Sequence, residues 1–306
     1  MSSDDWSDLF AEPEETKSEP QPTVIPKEEV PKDDVVMETK PETTTQEIHD
    51  SPTTTTVMVS PTPTELTVEE AKVGPQVVIV VFGDKGAGKT YSTFSLDGTI
   101  FCLSFDKKSL AVKVNSYKND QRIKVFDVIK YWDESNAQTL LDTSVLTFEY
   151  TLKILEVARK EQPDWVVIDG LEVEQQICEM TMRARNNIQP FAGFPNRNLW
   201  KERNMYMRQI HNLAMSACKK GLIYTTYLQN EPEYKNGEIV NTTPVPKWAD
   251  IVHRESDVVI RVYAEQEKMG RKFYAIVESS KSPLFVTGMR ADITSVGLKG
   301  LLVSKN

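Results

Sequence analysis

The sequence predicts an α/β fold in which helices cover both faces of a mostly parallel central sheet. An antiparallel hairpin is expected at the C-terminal end and a long disordered tail at the N-terminal end. Two observations lead to this prediction. From residue 77 onward, apolar β-branched segments of strand length alternate with amphipathic segments, and strands without polar alternation are typical of a parallel sheet buried on both faces. Residues 1–74 show neither pattern.

Residues 1–74 are acidic and rich in proline. They contain 18 Asp and Glu against 5 Lys and Arg, together with 9 of the 17 prolines. Such a segment buries too little apolar surface to offset the conformational entropy of ordering it. We therefore expect a disordered tail over 1–74 and a folded domain over 75–306. Residues 1–74 carry a net charge of −13. Because the whole chain has a formal net charge of −9, residues 75–306 carry a net +4. A mildly basic domain does not repel a polyanion.

One short segment departs from the tail's composition. Trp6, Leu9 and Phe10 lie among acidic residues, a pattern typical of short motifs that bind an apolar, basic groove of a partner protein. The alternative interpretation is an exposed terminal cluster without a partner. The sequence leaves both open.

The elements of the predicted domain follow in order. The first buried strand, 77–82, leads directly into glycines and a short helix. Further strands share an apolar, β-branched character and are predicted at 99–105, 123–128, 165–168 and 222–228. Helices are predicted at 146–160, from the end of the 165–168 strand to about 185, and at 199–219. Two last strands, 258–264 and 272–278, flank a turn and predict the hairpin.

Other classes of protein are excluded by simple features. Cys102, Cys178 and Cys218 form no C-x-x-C pair, so they predict small buried residues rather than a disulfide framework or a zinc site. No apolar run approaches the roughly 20 residues that span a bilayer. The acidic start also lacks the apolar core of a secretory signal. We therefore expect a soluble, cytoplasmic protein.

Residues 83–90 match the phosphate-loop pattern G-x-x-x-x-G-K-[ST] in full. Glycines there admit positive φ and bring successive N–H groups close to phosphates. Lys89 places an ammonium on the β- and γ-phosphates, and the Thr90 hydroxyl is a hard ligand for Mg²⁺. The segment follows a predicted buried strand and opens a helix, the context that the motif requires. The predicted ligands are ATP and Mg²⁺, and the predicted nucleotide-binding residues are Gly83, Asp84, Lys85, Gly86, Ala87, Gly88, Lys89, Thr90 and Tyr91.

Asp169 ends the apolar segment Trp-Val-Val-Ile-Asp. A carboxylate at the tip of a buried strand is costly unless it faces a cation or a polar cleft, and in phosphate-loop proteins this position belongs to the Mg²⁺ shell. The alternative is an aspartate that only caps the following helix. The phosphate loop upstream favours the metal role.

Hydrolysis also requires a group that orients or deprotonates the attacking water. Asp106, at the end of the second predicted strand, is one candidate. Glu172 and Glu174, just after Asp169, are rivals. Spacing alone does not choose among the three carboxylates.

The order of these motifs resembles the RecA superfamily. More narrowly, it is similar to RecA-like nucleotide-binding ATPases of phages and archaeal viruses, including AAA-type single-strand-annealing ATPases, with the RadA and KaiC groups as cousins. The resemblance covers roughly residues 75–300. It rests on Gly-Asp-Lys-Gly-Ala-Gly-Lys-Thr, Trp-Val-Val-Ile-Asp-Gly, the strand Ile-Tyr-Thr-Thr-Tyr-Leu-Gln, and the ending Tyr-Ala-Ile-Val-Glu-Ser-Ser-Lys-Ser-Pro-Leu-Phe.

The resemblance implies several residue roles. The family's catalytic glutamate falls at Asp106, a shorter side chain. Its γ-phosphate-sensing residue falls at Gln229, or at Tyr227 in the register in which phage relatives carry a histidine. Members that assemble into rings or filaments place a Lys or Arg in a neighbour's site, and Lys281 lies nearest that position. The alternative for Lys281 is a solvated surface lysine.

The resemblance also implies two DNA-binding loops. The first, about 184–198 with its flanks, interleaves cations with aromatic rings, the combination that binds single strands. Its expected DNA contacts are Arg183, Arg185, Phe191, Phe194 and Arg197. The alternative is a core-packing loop with arginines at helix ends. The second loop, 230–246, has three glutamates against Lys235 and does not attract DNA.

Three functions fit these observations. The first is an oligomeric ATPase acting on single-stranded DNA in phage or viral recombination, annealing or replication, located in the host cytoplasm. The second is a nucleotide switch that binds a protein partner and no DNA. The third is a P-loop kinase of small molecules, which is disfavoured because the sequence has no arginine-rich lid.

Overall fold

The fold is described by a computed structural model over residues 76–193, 196, 198–235, 238–247, 249–268 and 270–302. The strands are β1 (Val77–Gly83), β2 (Ile100–Ser104), β3 (Ile123–Asp127), β4 (Trp165–Asp169), β5 (Gly221–Lys235), β6 (Glu238–Pro246), β7 (Val258–Glu267), β8 (Gly270–Ser280) and β9 (Arg290–Asp292). The helices are α1 (Lys89–Phe94), α2 (Ser109–Tyr117), α3 (Ala137–Glu161), α4 (Leu171–Arg185), α5 (Leu199–Ala217) and α6 (Asp250–Glu255). Two short 3₁₀ helices cover Val128–Tyr131 and Gly297–Leu301.

The strand order of the sheet is β3-β2-β4-β5-β1-β7-β8-β9, with β6 paired to β5. The pairings from β3 to β7 are parallel, whereas β8, β9 and β6 pair in antiparallel fashion. The strand that precedes the phosphate loop, β1, is therefore separated from the Asp169 strand, β4, by β5. Since the carboxyl ends of parallel strands meet at one edge, the predicted site residues converge there.

Two apolar layers enclose the sheet. Along β1, Val78 and Val80 face a core formed with α3, α4 and α5. Val77, Ile79 and Val81 face a second core formed with α1 and the C-terminal residues. All seven residues of β1 are buried, because alternate apolar side chains of the strand pack into the cores on the two faces of the sheet. The α/β class, the mostly parallel sheet and the antiparallel C-terminal strands are confirmed.

Helix α3 is longer than the sequence predicted, because it begins at residue 137 rather than 146. Asn136 caps it by accepting a hydrogen bond from the backbone N–H of Thr139 at 2.9 Å. The prediction also missed α2, α6, β6 and β9.

Residues 230–235 and 238–246 form the two strands of an antiparallel ribbon rather than a loop, which corrects the prediction for the second DNA-binding loop. Strand β5 continues past Leu228 to Lys235 and pairs with β6 from Leu228↔Pro246 to Lys235↔Glu238. We call residues 228–235 and 238–246 the arm. Prolines and glutamates in this segment obscured its strand pattern.

Several predictions fall outside the described residues. They are the tail over 1–74 with Trp6, Leu9 and Phe10, and the loop residues Phe194 and Arg197. Within the described part of the chain, the three cysteines are buried and unpaired, as predicted. No helix in that part combines the length and apolarity needed to cross a membrane.

Candidate nucleotide-binding site

The phosphate loop is shaped by glycines whose positions tolerate no side chain. Gly86 and Gly88 have φ of 78° and 87°, the left-handed region that favours glycine. At Gly83 the constraint is space, because a Cβ would lie 2.0 Å from the Val262 carbonyl oxygen on β7. At Gly88 a Cβ would lie 3.3 Å from the ring of Phe273 on β8. The C-terminal hairpin therefore packs directly against the back of the loop.

Lys89 is held beside the loop by neutral oxygens. Its ammonium donates to the carbonyls of Gly83 at 3.0 Å and Asp84 at 3.1 Å, and it lies 4.2 Å from the centre of the Tyr227 ring. Burial lowers the pKa of Lys89, while the carboxylates of Glu172, Asp169 and Asp106 oppose that shift. Because no carboxylate pairs with it directly in the described part of the chain, the ammonium is available to a phosphate.

Asp169 is a buried carboxylate supplied with hydroxyl donors. It accepts hydrogen bonds from Thr90 at 2.9 Å, Ser109 at 2.5 Å and Thr225 at 2.5 Å. Thr225 is its register partner on β5. Asp169 is 2% exposed, and burial raises its pKa although the three hydroxyls lower it. Within the described residues no Lys, Arg or His lies at ion-pair distance from it, so a cation would relieve an unpaired buried charge.

These residues fit a magnesium ion. Mg²⁺ prefers oxygen ligands and keeps several waters, binding through one or two carboxylates together with substrate phosphates. No group of three or more His, Cys, Asp or Glu that could hold a metal exists among the described residues. The Thr90 hydroxyl beside the Asp169 carboxylate therefore suits an ion that takes its other ligands from a triphosphate and water. Thr90 would hold the ion, and Asp169 would orient its water.

The three candidate carboxylates occupy different places. Asp106 follows β2, and its backbone N–H donates to the Asp169 carbonyl at 3.1 Å; its side chain borders the cleft. Glu172 also borders the cleft and accepts from Thr226 at 3.1 Å. Burial raises its pKa.

Glu174 points away from the cleft, because residues two apart on a helix face nearly opposite directions. It is 1% exposed, and neither oxygen has a hydrogen-bond partner in the described chain. Burial raises its pKa to about 8. Of the three candidate carboxylates, Asp106 and Glu172 are the two that border the cleft.

The cleft contains Tyr227 rather than Gln229. Tyr227 pairs with Gly83 at the end of the parallel register, and burial raises the pKa of its hydroxyl, reinforced by Asp106 and Glu172. Gln229 lies in the arm, paired with Val245, and is exposed. Gln229 does not line the cleft, and of the two predicted registers it is the one at Tyr227 that places a side chain there.

Lys281 lies at the far edge of the sheet from the phosphate loop. Because β7 runs parallel to β1, the end of β8 that pairs with Val258 lies at the amino edge. The Lys281 ammonium donates to the Ser256 carbonyl at 3.0 Å. The expected hairpin cation is therefore not near its own chain's site.

Arg271 is the hairpin cation that does lie at the loop. A Cβ on Gly86 would be 3.9 Å from both terminal nitrogens of its guanidinium. Arg261 and Arg290 pair with glutamates at 2.7 and 3.0 Å. Arg271 has no ion pair within the described part of the chain and contacts the Phe273 ring.

The expected DNA contacts divide into two groups. Arg183 is 6% exposed, and its guanidinium is occupied by Glu179 and by the carbonyls of Gln189 and Ala192. It organises the loop from inside, which corrects its assignment as a DNA contact. Arg185 is partly exposed and covers the Phe148 and Tyr206 rings.

Phe191 is 88% exposed. Of the described members of the predicted set, it is the one that projects most freely.

A cavity of about 360 Å³ lies over the phosphate loop, between Thr90, Asp106, Asp169 and Tyr227. Its volume is within the range of small-molecule sites. A second cavity of about 640 Å³ adjoins it beyond Asp106 and Glu172. The site is therefore open on the side where a γ-phosphate would be attacked.

Sequence reasoning missed four residues of this site. Ser109 and Thr225 reach Asp169 from 60 and 56 positions away, so no local pattern signals them. Arg271 and Phe273 arrive through the hairpin. These two residues could not be predicted, because the position of the hairpin tip depends on the direction of β7 in the sheet, which the sequence does not give.

Known proteins match this chain at two levels. An AAA domain family model matches residues 76–291. No curated protein matches it in sequence. A KaiC-like protein from the hyperthermophilic archaeon Pyrococcus horikoshii OT3 is similar in structure, with 12% identity and a TM-score of 0.39 over 71% of this chain and 84% of that one.

The family match covers the phosphate loop, both cleft carboxylates and most of the hairpin. Together with a P-loop strand and an Asp169 strand separated by one strand, it indicates a P-loop ATPase domain. The chain belongs to the AAA domain family.

Proposed function

We propose that the protein binds Mg-ATP and hydrolyses its β–γ phosphoanhydride bond. The observation that carries the proposal is the convergence of Lys89, Thr90 and Asp169 at the carboxyl edge of the sheet, with Thr90 and Asp169 at hydrogen-bond distance. Loop amides and the Lys89 ammonium would bind the triphosphate. Mg²⁺, held by Thr90 with Asp169 beside it, would neutralise negative charge on the triphosphate.

Asp106 and Glu172 supply the proton acceptor in this proposal. A water attacks the γ-phosphorus, the bond to the β–γ bridging oxygen breaks, and ADP and inorganic phosphate leave. The carboxylate that orients the water takes its proton. Asp106 and Glu172 both border the two adjoining cavities, so the cavities do not choose between them. Asp106 follows β2, the position at which the resemblance places the catalytic glutamate, and it is therefore our first choice.

We also propose that single-stranded DNA is the polymer on which the enzyme acts, in phage or viral recombination, annealing or replication. Exposed Phe191 and the Arg203 guanidinium, 4.4 Å from the Trp200 ring, support this, since aromatic faces and cations are what single strands bind. The net +4 of residues 75–306 is compatible with it.

A second candidate is a nucleotide switch that binds a protein and no DNA. The internal role of Arg183 and the exposed Glu231 and Glu233 of the arm favour it. In that case the tail motif at Trp6, Leu9 and Phe10 would be the docking segment.

Turnover measured with and without single-stranded DNA separates these candidates. Phosphate release that depends on Mg²⁺ and disappears in Lys89→Ala supports the ATPase. Stimulation by DNA that weakens steeply with salt supports the DNA role, because phosphate contacts release counterions. Mg-dependent turnover with no DNA effect and no DNA retention at low salt supports the switch. If titration calorimetry of folded wild type detects no Mg-ATP binding, the ATPase proposal fails.

A further inference from the structure

The arm projects beyond the sheet: Pro246 at its base is buried, whereas residues 229–231 and 239–243 are exposed. The neighbours of β5 end near Gly83 and Asp169, whereas β5 continues to Lys235. Eight further residues extend about 26 Å at strand rise. A two-stranded ribbon alone is marginal in water, so this one needs a partner surface.

Prolines restrict how that partner can bind. Pro232 lies in β5, and Pro244 and Pro246 lie in β6. Proline lacks the N–H that an added strand would need and is tolerated where the N–H side faces solvent. Strand addition is therefore blocked along both edges, and the arm must dock through its faces and its tip.

The arm carries exposed apolar side chains near its tip and glutamates that no described residue neutralises. Ile239 is 59% and Val240 54% exposed. Glu231 and Glu233 are exposed and form no ion pair with any residue that the structure describes. A complementary surface would offer apolar side chains among cations.

Helix α2 offers that surface. Leu110 is 55% and Val114 49% exposed, one turn apart on its outer side. The segment 107–119 contains four lysines and no acidic residue. Within the described chain none of these lysines lies at ion-pair distance from a carboxylate, although Lys113 is near enough to Asp120 to lower its pKa. The four are Lys107, Lys108, Lys113 and Lys118.

We propose that the arm of one copy docks on α2 of a second copy of this chain, in a head-to-tail contact. In a single copy neither surface covers the other, since Ile239 and Leu110 are both more than half exposed. Each copy has one arm and one receiving helix, so the contact is heterologous and generates a ring or a filament. Val112 of the receiving helix and Lys108, which immediately precedes that helix, border the nucleotide cavity. The arm therefore reaches the rim of its neighbour's site.

Cysteine cross-linking in the full-length chain tests the contact independently of turnover. Ile239→Cys and Val114→Cys variants are mixed and treated with a short bismaleimide; Cys102, Cys178 and Cys218 are buried and give little background. A cross-linked dimer is expected in the mixture and at least tenfold less in either variant alone. The matched control pairs Ile239→Cys with Val157→Cys, a residue of α3 that is 45% exposed.

Charge reversal supplies a second, independent test. Glu231→Lys with Glu233→Lys in the Ile239→Cys chain is expected to lower the yield at least tenfold. Lys113→Glu with Lys118→Glu in the Val114→Cys chain is expected to restore it. Both changes in cross-linking yield are expected even if the protein hydrolyses no ATP.

Three outcomes overturn the proposal. One is a yield with Val114→Cys no higher than with Val157→Cys. Another is dominant cross-linking of Ile239→Cys to itself, which would indicate an arm-to-arm dimer. The last is a monomer by sedimentation in which Val114→Cys resists maleimide, which would mean that the acidic tail of the same chain covers α2.

Discussion

Two buried carboxylates lie five residues apart and differ in every property that matters for function. Asp169 and Glu174 are 2% and 1% exposed. Asp169 accepts hydrogen bonds from three hydroxyls, on Thr90, Ser109 and Thr225. Glu174 accepts none from any described residue. Burial alone therefore does not identify a functional acid.

The donors around each carboxylate set its charge state. Burial raises the pKa of Asp169, and the three hydroxyls that donate to it oppose that shift, so a bound cation would stabilise its ionised form further. Glu174 has no such donors, and its pKa of about 8 keeps it protonated at neutral pH. We interpret Asp169 as part of the ion site and Glu174 as a neutral core residue.

The largest expected effect concerns the third acid of the region, Asp106. If Asp106 takes the proton of the attacking water, Asp106→Asn lowers turnover by about 100- to 10,000-fold while Mg-ATP still binds, as expected for loss of a general base. Single-turnover phosphate release and calorimetric binding measure the two parts.

Glu172→Gln is the matched control for Asp106→Asn, because Glu172 borders the same cavity. Full activity in Asp106→Asn together with a large loss in Glu172→Gln would transfer the role to Glu172.

Asp169→Asn tests the charged member of the pair. We expect a loss of turnover of roughly 10- to 100-fold, the effect of removing a group that orients metal-bound water. The Mg²⁺ concentration for half-maximal rate should rise, while the melting temperature without Mg²⁺ should not fall, because an unpaired buried charge is removed. Unchanged Mg²⁺ dependence would count against the ion site.

Glu174→Gln tests the neutral member through the pH dependence of stability. The folded protein retains the Glu174 proton up to about pH 8, whereas the ordinary pKa of a glutamate, which applies to the unfolded chain, is 4.5. The folded state binds more protons in that interval, so the free energy of unfolding falls as pH rises from about 4.5 to 8. Urea unfolding should show a smaller fall in Glu174→Gln, by on the order of a few kcal/mol.

Turnover in Glu174→Gln should stay within about twofold of wild type, since the side chain faces away from the cleft. The control for the stability measurement is Glu149→Gln, a half-exposed carboxylate on α3. A variant with wild-type pH dependence but low turnover would reverse the assignment of Asp169 and Glu174.

The smallest expected effect concerns the cation side of the site. Arg271→Ala should weaken Mg-ATP binding by about 3- to 10-fold, since a partly exposed charge contributes roughly a kcal/mol. Lys272→Ala is the control, because Lys272 pairs with Glu267 at 2.9 Å. Equal affinities in the two variants would show that Arg271 only packs against the loop.

The sequence predicted the parts of the site that are coded locally. The phosphate loop and Asp169 each follow a buried strand, and that context is visible in a single segment. Ser109 and Thr225 were not predictable, because they meet Asp169 only through the order of strands in the sheet. Glu174 was retained as a rival because helix phase near its start could not be assigned from spacing.

The fold was predictable where strands are continuous and apolar. The arm could not be predicted, because prolines such as Pro232 and Pro244 are typical of loops. Its two strands are also defined by their pairing with each other, which the sequence does not show. Lys281 was named and Arg271 was missed because the sequence does not give the direction of the closing hairpin relative to the phosphate loop. Helix α2 has few apolar residues at regular spacing, so its sequence resembles a polar connection.

Strand β5 contributes residues to both the nucleotide cleft and the arm. Its first half supplies Thr225 to the Asp169 carboxylate and Tyr227 to the Lys89 ammonium. Its second half is one strand of the projecting ribbon. The first residue pair of the arm, Leu228↔Pro246, directly follows Tyr227 along β5, so a side chain of the nucleotide cleft and the base of a protruding surface share consecutive backbone. A shift of Tyr227 that accompanied nucleotide turnover would therefore act first on the base of the arm.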